Sequence, residues 1–220
     1  MPSPPASRRN SSTPGTKASD GAGSAPDPAE SEEFAASPRR IRIVGASGSG
    51  KSHLATRVSD RTGLPRLDLD AVFWDAGWTH RDLGEALGIV REFLAEHPDG
   101  WVADGNWNTR LGGLMSPGTP GGADVVVWID HPRRVVMRRV IVRTLRRGIL
   151  REELWHGNRE RISSWLRWDP RENIVRWAWT SYPSVRERLS ARIAAGEPIV
   201  RLRGQREVDA WLAGLPPRAP

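Results

Sequence analysis

The stretch Gly45-Ala46-Ser47-Gly48-Ser49-Gly50-Lys51-Ser52 puts three glycines, three serines and a lysine between an apolar run and a helical pattern. Its spacing is G-x-x-x-x-G-K-S, that of a loop that wraps phosphate. Glycine lets backbone close round a phosphate without Cβ clashes. Successive amide hydrogens then turn inward, and the helix that follows adds the positive end of its dipole. On this reading Gly45, Ala46, Ser47, Gly48, Ser49, Gly50, Lys51 and Ser52 hold the phosphates of ATP. Lys51 reaches the β- and γ-phosphates, and Ser52 ligates Mg²⁺. A plain Gly/Ser turn is the alternative, but it gives no reason for a lysine at the start of an amphipathic helix.

Four carboxylates lie at the ends of apolar segments. Asp68 and Asp70 in "LDLDAVFW" read as the end of a strand, where residues i and i+2 share a face. That face would bind or activate an acceptor, or touch Mg²⁺; a loop-starting Asp pair is the plainer role. Asp104 in "WVADGN" follows a largely apolar run, as a Walker-B aspartate holding Mg²⁺ does. Asp130 in "VVVWID" is its rival, with a helix N-cap as its other role. His131 reads as surface at the start of that helix.

Positive charge is concentrated further on. Residues 133–161 carry ten arginines against three acids. Arg139, Arg143 and Arg147 recur every four residues and so share a helix face. Phosphoryl transfer spreads negative charge over oxygens that arginine forks stabilise, so these three are candidates to cover the transferring group. Eleven tryptophans stand against one tyrosine. Most read as packing, but Trp74 and Trp107 lie near strand ends and could line an acceptor pocket. His156 in "ELWHGNRE" reads as an ordinary loop histidine.

The 220 residues contain no cysteine, which excludes disulfides, cysteine-ligated zinc and thiol catalysis. No apolar stretch approaches the roughly 20 residues that span a bilayer, and no apolar signal core opens the chain. The expectation is a cytoplasmic protein with no membrane partner. Residues 1–38 are rich in Pro, Ser, Ala and Gly and read as a disordered tail. They carry three cations and five acids; with the whole chain at +7, residues 39–220 hold +9. That balance favours phosphate-bearing partners, small or polymeric.

These residues need elements to place them. Strands are expected at 40–45, 66–70, 101–106, 123–130 and 198–202. Helices are expected at 51–62, 81–96 (Leu83, Leu87, Val90 and Leu94 inward), 132–147 from Pro132, 171–194 with a break near Pro183, and 205–214. Strands alternating with helices imply an α/β domain with a parallel sheet, whose ligands bind beyond the carboxyl ends of the strands. The candidate residues lie there.

With "GASGSGKSHLA", "LDLDAVFWDAGW", "WVADGNW" and the arginine-rich helix in order, residues 40–213 resemble adenylate-kinase-related P-loop proteins often labelled DNA topology modulation proteins. The resemblance implies an α/β P-loop NTPase three-layer sandwich of the nucleoside-monophosphate-kinase type, with a parallel five-stranded sheet in the order 2-3-1-4-5. It implies an acceptor-binding insertion at about 75–100, a lid at about 143–165 and an Asp-Gly-Asn motif at Asp104–Asn106. "GGLMSPGTPGG" at 112–122 departs from the pattern as a longer, flexible loop. The expected activity is Mg²⁺-dependent phosphoryl transfer from ATP to a small-molecule acceptor. Lys51, Asp70, Arg139, Arg143 and Arg147 would be catalytic, Ser52 and Asp104 would serve the metal, and Asp68, Asp70, Trp74, Asn106 and Trp107 would meet the acceptor. A nucleotide-dependent ATPase acting on DNA is the alternative, though no nucleic-acid module is evident.

Overall fold

Alternation in "RIRIVG" sends Ile41 and Ile43 to one side of the chain and Arg42 and Val44 to the other, and all four are buried. In the computed structural model, which describes residues 37–159 and 173–218, this segment is strand β1 (Arg40–Gly45). The chain divides into Met1–Ala35 and Ala36–Pro220, and the described residues belong to the second unit. The tail reading, apart from Ser37 and Pro38, and the far end of the expected lid lie outside the described residues.

After β1 come helix α1 (Lys51–Thr62), β2 (Arg66–Asp68) and a short helix α2 (Leu69–Phe73). A small antiparallel pair follows, β3 (Trp74–Asp75) with β4 (Thr79–His80), then α3 (Leu83–Glu96). Next are β5 (Trp101–Asp104), α4 (Asn108–Leu111), β6 (Val125–Ile129) and α5 (Arg133–Leu150). Helix α6 (Ile174–Ala194), β7 (Ile199–Leu202) and α7 (Gln205–Ala213) follow, and two single 3₁₀ turns lie at Ala76–Trp78 and Trp155–Gly157. The five longer strands form one parallel sheet in the order β2-β5-β1-β6-β7.

Helices cover both faces. Ile41, Ile43, Val127 and Ile129 pack with Leu54 and Val58 of α1 and with Val208 and Leu212 of α7. On the other face Val44, Val126 and Trp128 meet Val185 and Leu189 of α6, while Trp101 and Ala103 meet α2 and α3. No helix among the described residues is long and apolar enough to cross a membrane.

Several boundaries differ from the sequence reading. The strand expected at 66–70 ends at Asp68, because the Asp68 carboxylate accepts the Asp70 N–H at 3.0 Å and starts α2. Asp68 and Asp70 therefore do not share a strand face. Pro132 is the N-cap of α5 rather than its first residue. Leu83 is exposed, and α3 buries Ala86 and Val90. The loop at 112–122 is a chain of turns pinned by the fully buried Met115.

Helix α6 runs unbroken through Pro183. Proline has no N–H to offer the Trp179 carbonyl one turn back. Arg133 Nη2 donates to that carbonyl at 2.7 Å instead, with its guanidinium 3.4 Å from the Trp179 ring centroid. A guanidinium from α5 thus satisfies an acceptor that the helix cannot. Arg133→Ala should lower stability by about 0.5–1.5 kcal/mol. The same change in a Pro183→Ala background should cost less, since residue 183 then supplies the missing N–H. A double-mutant cycle in urea tests this, and strictly additive effects would refute it.

Candidate functional site

The loop after β1 has no spare room. A Cβ on Gly45 would lie 2.7 Å from the Ile129 carbonyl oxygen, and one on Gly48 would lie 2.4 Å from Val140 Cγ2 of α5. Gly48 and Gly50 also hold positive φ, at 81° and 100°, a region in which Cβ is costly. Gly50 is the N-cap of α1 and makes no side-chain cap, and the Arg139 guanidinium lies beside it, 3.5 Å from where a Cβ would stand.

Lys51 folds back over the loop. Its Nζ donates to the carbonyls of Gly45 at 3.1 Å and Ala46 at 3.2 Å. Burial pushes the ammonium down from its ordinary value, Asp70 and Asp104 pull it up, and Arg143 pushes it down again. A cation held by two neutral carbonyls in this surrounding is short of a full anionic partner. Ser52 Oγ donates to Asp104 Oδ2 at 2.6 Å, so the two residues assigned to Mg²⁺ are in direct contact. Asp104 is buried, and Arg66 grips its other oxygen through Nε at 3.1 Å and Nη2 at 2.9 Å. Its rival Asp130 is taken by Arg186 and Arg201 in an ion-pair cluster of its own. His131, expected at the surface, is 3% exposed.

The three arginines on α5 separate. Arg139 donates to the Ser49 carbonyl at 3.1 Å and to Gln205. Arg143 Nη2 lies 3.4 Å from Ser47 Oγ. Arg147 instead pairs with Glu152 at 3.7 Å, since the helix ends three residues later and the chain turns back with Arg151 in the left-handed region. The arrangement puts Arg139 and Arg143 on the loop and leaves Arg147 beside Glu152. Next to the loop lies a cavity of about 260 Å³, lined by Ser49, Gly50, His53, Arg57, His131 and Arg139 among others.

Asn106, expected to meet the acceptor, turns its amide to the loop. Its amide makes a two-point clamp on Gly45, accepting from the N–H at 3.2 Å and donating to the carbonyl at 2.7 Å. One side-chain amide matches the backbone donor and acceptor of one residue, so Asn106 braces the loop.

Asp68 and Asp70 each receive an indole. Trp155 Nε1 donates to Asp68 Oδ2 at 3.0 Å, and Trp107 Nε1 donates to Asp70 Oδ1 at 2.7 Å. Trp107 stacks on Phe73 at 4.9 Å, Trp74 meets Trp107 edge-on at 5.4 Å, and His80 stacks on Trp74 at 4.5 Å. The early part of the expected lid closes on this group: Asn158 accepts from the Trp78 N–H at 3.0 Å and donates to the Asp75 carbonyl at 2.8 Å. His156 lies 2.9 Å from the Ala71 carbonyl and 3.1 Å from Arg81. Trp155, Asn158 and Arg66 belong to this group through contacts distant in sequence, and no spacing rule marks them.

No protein-family model matches the chain, and no curated protein matches it. Among solved structures, one match is an uncharacterized protein from Eubacterium ventriosum, at 17% identity and a TM-score of 0.34. The match covers 48% of this chain and 65% of that one, so this chain spans less than two thirds of the protein it matches.

Burial pushes the Asp70 carboxyl above the usual range, and Lys51 and the Trp107 N–H pull it back only in part. Asp68 is raised too, by burial first and then by Asp104 and Asp70. A raised carboxyl binds its proton more tightly in the folded state. Stability is therefore lost as pH rises through the folded value, and the ionised Asp70 is a cost at neutral pH. Asp70→Asn should raise the melting temperature at pH 7 by about 2–4 °C, the shift that one kcal/mol makes in a domain of this size. The gain should fade as pH falls towards the ordinary 3.8. Melting curves from pH 4 to 8 check this; a variant less stable than the parent at pH 7 would contradict it.

Proposed function

We propose that this protein is a kinase that moves the γ-phosphoryl group of ATP to a small acceptor with the help of Mg²⁺. Its scaffold on this reading is a P-loop NTPase sandwich of the nucleoside-monophosphate-kinase type. One observation carries the reading. Lys51 Nζ, the glycine-lined turn and the uncapped start of a 12-residue helix meet at one point, with Ser52 on Asp104 beside them. The strand order supports it: counted over the five long strands it is 2-3-1-4-5, the order that the resemblance to DNA topology modulation proteins implies.

The residues fit such ligands. The glycine cradle would lose its shape to any Cβ at Gly45 or Gly48, and among the described residues the ammonium over it hydrogen-bonds to two carbonyls and to no carboxylate. Among the described residues no cage of three or more His, Asp or Glu exists. Mg²⁺ needs none, since it takes one or two carboxylates with waters and substrate phosphates; Ser52 and Asp104 would hold it. When bound, Mg²⁺ neutralises and orients the triphosphate. Lys51 and Arg143 bring positive charge to the phosphates, and Arg139 fixes the Ser49 carbonyl so that the loop keeps its curvature. The cavity beside Ser49 and Gly50 would take the base of the nucleotide on this reading.

ATP binding by calorimetry with Mg²⁺ tests the reading directly. Lys51→Ala should abolish measurable binding without lowering the melting temperature, because Nζ holds ligand and not core. Arg143→Ala should leave ATP affinity within a few-fold and slow turnover about a hundredfold, the cost of removing one donor to transition-state charge. Normal turnover in Arg143→Ala, together with a DNA-binding salt slope reduced by about one unit, would instead support the second reading, a DNA-acting ATPase that uses the +9 charge of residues 39–220.

A further inference from the structure

The group that surrounds Asp70 is unlike a phosphate site. Asp68, Asp70 and Asp104 lie close enough that Asp104 pushes both of the other carboxyls upward. Cations carried by the same elements are already engaged, and Lys51 and Arg143, which act on Asp70 from other elements, serve the phosphates of ATP on the kinase reading. Arg66 forks onto Asp104 and pairs with Asp68 at 3.7 Å. Arg110 donates to the Arg81 carbonyl and lies over the Phe73 ring, and Arg81 meets His156. An acceptor that carried its own phosphate would bring two negative charges against these carboxylates, a repulsion strengthened by partial burial.

The carboxylates differ in what they have left to offer. Both oxygens of Asp68 are used, one on the Asp70 N–H and one on Trp155. Asp70 accepts from Trp107 through Oδ1, and among the described residues no donor holds its Oδ2. The indole therefore fixes the carboxyl and leaves one oxygen for a hydroxyl. Around it stand aromatic faces that are only partly covered: Trp74 and Trp107 are half-buried, and Trp78 and His80 are exposed. Flat aromatic faces beside fixed carboxylates suit a ring that has an apolar C–H face and a rim of hydroxyls.

We propose that the acceptor is a neutral, polyhydroxylated ring compound without a phosphate of its own, such as a sugar, a cyclitol or a nucleoside, and that Asp70 receives the proton of the hydroxyl that is phosphorylated. This rests on the kinase reading above. In the step, the acceptor hydroxyl oxygen forms a bond to the γ-phosphorus of ATP. The bond from that phosphorus to the β,γ-bridging oxygen breaks, and its electron pair leaves with ADP. The hydroxyl proton passes to Asp70 Oδ2 and then to solvent. Trp107 is a positioning residue, acting on the acceptor only through Asp70.

The test uses the full chain. ATP binding with Mg²⁺ is measured first, by calorimetry. Phosphate transfer is then followed by phosphorus NMR with glucose, myo-inositol, adenosine and cytidine, beside AMP, CMP and glucose 6-phosphate. Tryptophan fluorescence reads binding of the same compounds in the presence of a non-hydrolysable ATP analogue. The expected result is binding and phosphorylation of at least one neutral compound and none of the phosphorylated ones. Asp70→Asn should keep ATP affinity within about threefold and lose at least about a hundredfold in transfer rate, the scale of a general base. Trp107→Phe should slow transfer and shift its pH profile, because the carboxyl loses the N–H that stabilises its ionised form. Transfer to a monophosphate in preference, to no neutral compound at all, or at an unchanged rate by Asp70→Asn would overturn the inference and leave the kinase reading standing. Failure to bind ATP would overturn the kinase reading itself.

Discussion

Helix α5 presses on the loop at Gly48 so closely that a methyl group would overlap Val140, and the rest of the site depends on that contact. Val136 and Val140 lie buried with Ala46, so apolar packing holds the helix against the turn. The same packing delivers Arg139 and Arg143 to Ser49 and Ser47. The loop is thus gripped from two sides, by α5 on one and by the Asn106 clamp on Gly45 on the other. A turn of glycines and serines has little of its own to hold a shape, and these contacts supply it.

Charge is divided between the two sides of this turn. Lys51, Arg139 and Arg143 gather at the loop, while Asp68 and Asp70 gather at the start of α2. Each set is uncomfortable alone: burial lowers the Lys51 ammonium and raises both carboxyls. Functional sites commonly hold such strain, because groups arranged for a ligand are poorly arranged for each other. Lys51 and Asp70 relieve one another only in part. The indoles of Trp107 and Trp155 hold the carboxylates in place without neutralising them, and Arg66 is the guanidinium that pairs with Asp68, at 3.7 Å.

The segment from Arg151 to Arg159 ties the two sides together. Asn158 satisfies two backbone groups of the β3–β4 region, and Trp155 reaches Asp68. Left-handed backbone at Arg151 and His156 turns the chain back after α5 so that these contacts can form. Arg147 pairs with Glu152 at that turn, whereas Arg139 and Arg143, evenly spaced with it in sequence, contact Ser49 and Ser47 of the loop.

Local patterns determined much of this. The phosphate-loop spacing, the α1 limits at Lys51 and Gly63, and the apolar runs of β1 and β6 are all properties of neighbouring residues, and the sheet strands follow from them. Asp104 beside Ser52 could also be anticipated, because a strand end and a loop end meet at the edge of a parallel sheet. What the tertiary structure decided depends on partners distant in sequence. Asp68 and Asp70 read as one strand face, and a cap between them made a helix instead. Asn106 read as an acceptor contact, and the Gly45 peptide 61 residues away claimed its amide. Pro183 read as a break, and Arg133 of another helix met the carbonyl that the proline strands. A polar side chain's choice among partners is a competition over distance, and only the folded chain brings the competitors together.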